Sequence, residues 1–220
     1  MPADQHPTAP VSPQDALARI PKAAIKRLSL YTRVLQNLEM NNVEKVSSHE
    51  LAEHLGLNSA QVRKDLAYYG QFGVPGFGYY VADLRANLKR ILGTDKEIRV
   101  ALVGVGNLGS ALMSYGGFLR QGFKIALAFD VDGRKVGAAR GNVPIDHIDD
   151  LEKRIRAEGI EIAILSVPAE VAQSVVDRLV AAGVTGILNF VPLRLIAPEH
   201  VKVQYVDLAI EIESLSYYLR

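Results

Sequence analysis

Three glycines that follow a short apolar run carry the clearest chemical signal in this sequence. The run Arg99 to Val103 leads into glycines at 104, 106 and 109, the spacing Gly-x-Gly-x-x-Gly. In such a motif the first glycine permits a tight turn, the second lets backbone approach a pyrophosphate, and the third lets a helix pack closely on the strand. The pattern predicts a dinucleotide-binding turn made of Gly104, Val105, Gly106, Asn107, Leu108 and Gly109.

An acidic residue stands where the adenosine end of a dinucleotide is expected. Asp130 ends a second apolar run, about 20 residues beyond the glycines, where a carboxylate bonds the ribose hydroxyls. A carboxylate there repels a 2′-phosphate and favours NAD, although Arg134 and Lys135 nearby keep NADP from being excluded. Further strand ends open on the same edge and predict cofactor contacts from Val167, Pro168, Asn189 and Phe190. A CoA or other nucleotide binder of the same architecture is the alternative.

Basic residues are concentrated in the part of the chain that precedes the glycines. Residues 21–90 carry ten basic against six acidic side chains, whereas residues 97–220 carry 13 against 15. Within the basic part, Ser47 and Glu50 form a capping box for one short helix, and Asn58 or Ser59 caps the next. Two short helices joined by a glycine-containing turn are typical of a helix-turn-helix, whose second helix enters the major groove.

The stretch after these helices favours DNA binding over a plain helical bundle. Residues 70–80 are rich in glycine and aromatic residues around a turn at Pro75-Gly76, which predicts a β-hairpin and thus the wing of a winged helix. We expect DNA contacts from Ser47, Ser48, Ser59, Gln61, Arg63, Lys64, Tyr68, Gly76, Phe77, Gly78 and Tyr79. A three-helix bundle with a solvated charged face, or a winged helix that binds protein, remains open.

The order of elements predicts an α/β chain in which a winged-helix domain precedes a Rossmann-like doubly wound parallel sheet. We expect a disordered tail over 1–19, the DNA-binding domain over 20–92, the dinucleotide-binding domain over 95–206 and a C-terminal helix over 207–220. The helix after the glycines is expected to run from Asn107 to about Leu119. The terminal helix is apolar and must bury its stripe, either on its own domain or on a partner subunit.

Composition excludes several kinds of site. The chain has no cysteine, which rules out disulfides, thiol nucleophiles and thiolate zinc sites, and its five histidines lack metal-ligand spacing. We therefore expect no metal. No run of about 18 apolar residues and no signal-peptide layout are present, so we expect a cytoplasmic protein that does not enter a membrane.

An NAD-dependent oxidoreductase is the competing function for the glycine motif. Such an enzyme needs a proton donor or base at the nicotinamide. His147 and His200 lie in no predicted strand-end loop that faces the glycines, and Tyr115 lacks a lysine partner at helical spacing. The sequence therefore favours a protein that is not an enzyme.

Motifs from both predicted domains match one known family in order. They are Ser59-Ala-Gln-Val-Arg-Lys-Asp-Leu-Ala-Tyr-Tyr-Gly70, Phe72-Gly…Gly76-x-Gly-Tyr79, Val103-Gly-Val-Gly-Asn-Leu-Gly109, Phe129-Asp-Val-Asp132, Asn189-Phe-x-Pro192 and Asp207-Leu-Ala…Ser214-Leu-Ser-Tyr-Tyr-Leu219. From about Pro21 to Arg220 the chain resembles the Rex family of redox-sensing transcriptional repressors. At the wing tip, Val74 and Pro75 stand where many relatives carry basic residues.

The resemblance implies a homodimer that binds palindromic double-stranded operator DNA when free or NAD⁺-bound and releases it when NADH binds. It also implies that the C-terminal helix is domain-swapped between subunits and helps to enclose the nicotinamide. By the same resemblance, Tyr115 lies near the nicotinamide, and Arg33 and Asp207 form a switch pair whose contacts differ between the two states.

Overall fold

The structure, a computed structural model, describes residues 20–74 and 76–219 and divides into two compact units between Asp95 and Lys96. The predicted tail over 1–19 lies outside the described residues. Among the residues described, no helix combines the length and apolar character that a membrane span requires. Nor do the described His, Asp and Glu side chains form a group of three or more that could hold a metal ion.

In the described residues the first unit consists of four helices and a two-stranded antiparallel sheet. The elements are α1 (Lys22–Met40), β1 (Lys45–Val46), α2 (Ser48–Glu53), α3 (Ser59–Ala67), β2 (Tyr79–Tyr80) and α4 (Val81–Ile91). Their apolar faces share one core, whose members include Leu28, Leu35, Leu51, Leu66 and Leu88, each at most 2% exposed.

Local side-chain hydrogen bonds set where α2 and α3 begin. The capping box is present, because Glu50 N–H donates to Ser47 Oγ at 3.1 Å and Ser47 N–H donates to Glu50 Oε2 at 2.7 Å. Asn58, and not Ser59, caps α3, since its Oδ1 accepts from Ala60 N–H at 2.7 Å. The two helices therefore form with the short connection that the sequence predicts.

The predicted hairpin over 70–80 is only partly formed. Its described residues make one antiparallel bridge between Val74 and Gly78, and β2 pairs instead with β1, across from Lys45 and Val46. Gly70, Gly76 and Gly78 have positive φ, a conformation that a regular strand does not use. A Cβ on Gly78 would lie 2.6 Å from Val46 O, so this glycine lets the wing pass close to β1.

A buried carboxylate that the sequence analysis missed joins α3 to α1. Asp65 is 0% exposed and accepts two hydrogen bonds from Arg27, from Nε at 2.5 Å and from Nη2 at 2.8 Å. Tyr31 Oη and Gln61 Nε2 donate to the same carboxylate, each at 2.7 Å. Burial alone would raise the pKa of Asp65, but these hydrogen bonds hold that pKa below its ordinary value.

The second unit contains a seven-stranded, mostly parallel sheet in the order β5-β6-β4-β3-β7-β8-β9. The strands are β3 (Ile98–Val103), β4 (Phe123–Asp130), β5 (Ala139–Arg140), β6 (Val143–His147), β7 (Ile162–Leu165), β8 (Gly186–Asn189) and β9 (Lys202–Tyr205). All neighbours are parallel except β5 and β6, so the prediction of a doubly wound sheet is confirmed. The edge pair with β5 was not predicted.

Helices cover both faces of this sheet. On one face, α7 (Leu151–Glu158) and α8 (Ala169–Ala181) bury side chains such as Ile155 and Val176. On the other face lie α5 (Asn107–Met113) and α6 (Gly117–Arg120). β4 and β7 pair with β3 along its two opposite edges, so the order of strands reverses at β3. A cleft is therefore expected at the carboxyl ends of these strands.

The prediction of one helix from Asn107 to Leu119 is wrong. The helix stops at Met113 and resumes as the single turn of α6 after Gly116. Two adjacent glycines weaken a helix by about 1 kcal/mol each relative to alanine. The ring of Tyr115 packs on Gly117 so closely that a Cβ there would lie 2.3 Å from it.

The C-terminal helix α9 (Leu208–Tyr218) has no buried residue. Its large side chains are 58% to 87% exposed from Leu208 to Leu219. Asp207 caps the helix by accepting from Ala209 N–H at 2.9 Å. Contiguous apolar surface exposed in this way is typical of an interaction site.

We predict that Asp65→Asn lowers the free energy of unfolding of the first unit by about 3 kcal/mol, because it leaves Arg27 without its counter-charge. Urea unfolding at pH 7 measures this loss. As a control, Glu39→Gln removes the exposed ion pair with Arg85 and should cost less than about 1 kcal/mol. Because the folded-state pKa of Asp65 is depressed, its contribution is complete above about pH 4 and is lost as the pH falls through that pKa.

Candidate dinucleotide and DNA sites

The glycine turn is held against the end of β7 by backbone contacts that leave no room for side chains. Gly104 has φ +93°, and a Cβ on it would lie 2.4 Å from Ser166 O. A Cβ on Gly109 would lie 2.0 Å from Gly104 O. Ser166 Oγ also donates to Gly104 O at 2.8 Å. In contrast, a Cβ on Gly106 would meet no atom within 4 Å, so the backbone at this position faces open space.

That open space is part of a cleft of about 520 Å³ at the carboxyl ends of β3, β4 and β7. Of the predicted cofactor residues, the cleft is lined by Gly104, Gly106, Asp130, Val167 and Pro168. Several polar residues also line the cleft that the sequence analysis did not assign to the site, namely Asp132, Lys135, Ser166 and Arg178. Of these four, Ser166 could have been predicted, because it directly precedes Val167, which the sequence analysis did assign to the site.

The carboxylate of Asp130 is already engaged within the chain. It accepts from Val105 N–H at 2.8 Å, from Asp132 N–H at 2.8 Å and from Lys135 Nζ at 2.9 Å. Burial would raise the pKa of Asp130, but the backbone N–H of Asp132, the Lys135 ammonium and the Val105 N–H lower it. The carboxylate therefore stays ionised and ties the glycine turn to β4. Since Lys135 neutralises it, it repels a 2′-phosphate less than the sequence alone suggests.

Several predicted cofactor residues do not line this cleft. The side chain of Val105 is buried at 2% exposure, and Gly109 is buried against the turn. Asn107 and Leu108 are exposed at the start of α5, and Phe190 is half-buried after β8. For these residues a direct contact with a dinucleotide stays a prediction.

Asn189 has a structural role that the sequence analysis did not anticipate. The side chain is 0% exposed, and its amide donates to Val191 O at 3.0 Å and to Leu193 O at 3.2 Å. Its Oδ1 accepts from Val191 N–H at 2.9 Å. With both ends of the amide engaged, Asn189 shapes the loop after β8 and does not present a polar group to the cleft.

Tyr115 also lies outside the cleft, and its contact with the nicotinamide stays a prediction. It borders a separate hollow of about 490 Å³ that includes Arg99 and Lys124, from the amino-terminal parts of β3 and β4. Its ring is 56% exposed and packs edge-on against Phe118 at 5.2 Å between centroids. Within this chain, the short helix α5 separates Tyr115 from the glycine turn.

A larger share of the predicted DNA contacts than of the predicted cofactor contacts lines a single cleft. A cleft of about 610 Å³ in the first unit lies between α3 and the wing, and it is lined by Ser47, Ser48, Arg63, Gly76, Phe77, Gly78 and Tyr79, among others. Arg63 Nη1 donates to Ser48 Oγ at 2.9 Å, which connects the outer face of α3 with the start of α2. Lys64 and Tyr68 are exposed on α3, and Phe77 is 68% exposed at the wing.

Three of the predicted DNA residues are less available than expected. Tyr79 is only 9% exposed and belongs to the core, because alternation in β2 turns it inward. Gln61 donates its amide N–H to the buried Asp65 and is half-buried, and Ser59 is half-buried at the start of α3. Tyr79 therefore supports the wing by packing in the core, and its contact with DNA stays a prediction.

Two family models match the chain. One, described as a putative DNA-binding protein N-terminus, matches residues 19–67, and the other, described as a CoA binding domain, matches residues 95–193. The first coincides with α1 to α3 and the second with most of the parallel sheet.

A named relative and two solved structures match almost the whole chain. The Redox-sensing transcriptional repressor Rex of Anoxybacillus flavithermus is 48% identical over 202 residues, which cover 92% of this chain and 95% of the relative. A crystal structure of RSP in complex with β-NAD⁺ and operator DNA is 38% identical and superposes with a TM-score of 0.86 over 91% of this chain and 92% of that one. A structure of RSP with β-NADH gives 37% identity and a TM-score of 0.82, over 91% and 94% of the two chains.

We predict that Gly106→Val weakens NADH binding more than about tenfold, equivalent to about 1.4 kcal/mol, because the new side chain fills the open space beside the turn. The thermal stability should stay close to that of the wild type, since the added atoms meet no protein atom. Calorimetric titration with NADH and a melting curve measure the two effects.

Gly109→Val is the matched comparison for this prediction. Its Cβ would collide with Gly104 O, so we expect it to lower the melting temperature as well as NADH binding. If Gly106→Val binds NADH as tightly as the wild type, the cleft beside Gly106 is not the dinucleotide site.

Proposed function

Because the chain belongs to the Rex family of redox-sensing transcriptional repressors, we propose that it binds operator DNA through α2, α3 and the wing and measures the NADH/NAD⁺ ratio at the cleft beside the glycine turn. In this proposal the free and NAD⁺-bound forms hold the operator, and NADH releases it. The resemblance that the motifs indicated is confirmed by the relatives' identity over 92% of the chain.

The observation that carries the proposal is the presence of both sites in one chain that superposes on a relative solved with both kinds of ligand. The relative's structure contains β-NAD⁺ and operator DNA, and 91% of this chain aligns with it at a TM-score of 0.86. Here the residues that could meet these ligands form two separate clefts, one in each unit. We infer that the dinucleotide is a sensed ligand in this chain and that the DNA is its target.

The DNA-binding face has the chemistry expected of operator recognition. Arg63 and Lys64 project from α3, and both residue types pair with guanine in the major groove or with phosphate. The hydrogen bond from Arg63 to Ser48 orders its guanidinium without neutralising it, so its charge stays available to DNA.

We propose that the nicotinamide end of the ligand lies in apolar surroundings that distinguish its two redox states. NADH lacks the ring charge of NAD⁺, so an apolar nicotinamide pocket favours the reduced form. Moving a two-state equilibrium from 1:99 to 99:1 needs a preference of about 5.5 kcal/mol. If two sites in a dimer share this preference, each NADH needs to supply only about 2.7 kcal/mol.

The exposed C-terminal helix supports a homodimer as part of the proposal. Leu208, Ile212 and Leu215 are each at least 59% exposed, and burial on a second copy would remove this apolar surface from water. We propose that α9 is exchanged between subunits and there meets the nicotinamide end of the partner's ligand, where Tyr115 is also placed. A dimer would present two α3 helices to the two halves of a palindromic operator.

The proposed switch pair occupies positions that can respond to a neighbour. Arg33 is exposed on α1, and Asp207 is the N-cap of α9. A change of partner at Asp207 would therefore act directly on the start of the helix that is proposed to be exchanged. We propose that this residue couples ligand binding to the position of α9.

The relatives are named as transcriptional repressors and not as enzymes, which favours a regulator over an NAD-dependent oxidoreductase. We propose that the protein acts in the cytoplasm, because its proposed target is operator DNA.

The deciding experiment measures DNA binding across NADH/NAD⁺ ratios. Purified protein first selects duplexes from a random-sequence pool, and fluorescence anisotropy then follows the selected duplex at constant total dinucleotide. We expect a palindromic duplex that is held at low ratios and released as NADH rises. Equal effects of NADH and NAD⁺ would contradict the sensor role, and failure to select any duplex would contradict the repressor role.

We predict that Arg63→Ala and Lys64→Ala each weaken binding to the selected duplex by about 1 to 3 kcal/mol, or about 5- to 150-fold, without changing the affinity for NADH. Lys153→Ala, which removes an exposed charge from α7 in the other unit, serves as the control and should leave DNA binding unchanged. Unchanged DNA affinity in both α3 variants would show that α3 is not the helix that reads DNA.

A further inference from the structure

The wing carries no positive charge of its own. Residues 70–80 contain no lysine or arginine, although a wing that approaches a DNA backbone gains affinity from cations. The structure provides a cation from a neighbouring strand. Lys45 of β1, which was not among the predicted DNA contacts, lies with its Nζ 5.4 Å from the centroid of Phe77 and 4.9 Å from that of Tyr80.

The pairing of β1 with β2 explains why Lys45 faces outward. Lys45 lies opposite Tyr80, and Val46 lies opposite Tyr79. Val46 is 3% exposed and Tyr79 is 9% exposed, so this pair faces the core. Because side chains alternate along a strand, Lys45 and Tyr80 share the outer face. The close approach of Gly78 to Val46 O brings Phe77 to the same place.

The ammonium of Lys45 is positioned but not neutralised. Ring faces attract a cation and reduce the freedom of its long side chain, whereas they leave its full charge in place. Among the described residues no carboxylate forms an ion pair with Lys45. The two acidic neighbours that share a hollow with it make other contacts, since Glu50 caps α2 and Glu53 Oε1 lies 3.3 Å from His49 Nε2.

The location of this cation matches the DNA-binding face. Lys45 is two residues before Ser47, the N-cap of α2, and Phe77 lines the same cleft as Arg63. Lys45 therefore stands on the wing side of the surface, and Arg63 stands on the α3 side. A duplex that contacts α3 and the wing would bring a backbone phosphate within reach of Lys45.

We propose that Lys45, whose ammonium is held over the rings of Phe77 and Tyr80, is a phosphate contact that anchors the wing to the DNA backbone. This inference rests on the proposed repressor function. The contact is independent of base sequence, so it adds affinity and register but no discrimination between operators.

The test uses the full-length protein and the duplex that the wild type selects, with affinity measured by anisotropy at several KCl concentrations. Each neutralised phosphate contributes about 0.9 to the slope of log K against log[salt]. We expect Lys45→Gln to reduce the magnitude of this slope by about 0.9 for each bound copy of the chain. The ratio of affinities for the selected and a scrambled duplex should not change. Lys45→Arg should restore the slope.

Lys89→Gln is the matched control, because it removes one lysine charge in the last turn of α4, away from the wing. It should leave the slope unchanged. Tyr80→Leu should weaken binding by itself and reduce the effect of Lys45→Gln, since the ammonium is then no longer held in place. All of these variants should bind NADH as the wild type does.

An unchanged salt slope in Lys45→Gln, alongside weakened binding by Arg63→Ala, would overturn the role of Lys45 and leave the repressor function intact. A loss of affinity with the slope unchanged would also overturn it, because that result indicates a disturbed fold. If the wild type selects no duplex at all, the repressor function and the role of Lys45 both fail.

Discussion

The close approach of the glycine turn to the end of β7 is the contact on which the sensor unit depends. Gly104 and Ser166 come so near that a Cβ on Gly104 would overlap a carbonyl oxygen, and Gly109 meets the same turn from α5. Asp130 joins this arrangement from β4 by accepting from Val105 N–H. Three neighbouring strands are thereby fixed around one cleft.

The first unit depends on a different kind of constraint, a buried charge. Asp65 accepts hydrogen bonds from Arg27, Tyr31 and Gln61, and the bonds from Arg27 and Tyr31 hold α3 against α1. A buried carboxylate is tolerated only when its lone pairs are satisfied, and here they are. The fixed placement of α3 that results is useful for reading DNA, because the orientation of the helix does not have to be fixed on binding.

The two units expose different kinds of surface, charged in the first and apolar in the second. In the described part of the first unit, the cations Arg63, Lys64 and Lys45 remain available because no carboxylate there forms an ion pair with them, whereas Arg27 and Arg85 are paired with carboxylates. In the second unit it is apolar surface that remains, along α9. Charge suits a polyanionic partner, and apolar area suits a protein partner, which agrees with the proposal that this repressor binds DNA as a dimer.

The sequence alone determined the features that depend on near neighbours in the chain. The glycine spacing, the Ser47 and Glu50 capping box, and most of the strands and helices could be predicted, because each follows from residues a few positions apart. Only the tertiary structure decided that Asp65 and Asn189 are buried, that Tyr79 faces the core, and that the Lys45 ammonium lies over two aromatic rings. These outcomes rest on contacts between segments distant in sequence, or on which face of an element is covered. No local pattern encodes them, because the same residue types at the same spacing are equally compatible with an exposed surface.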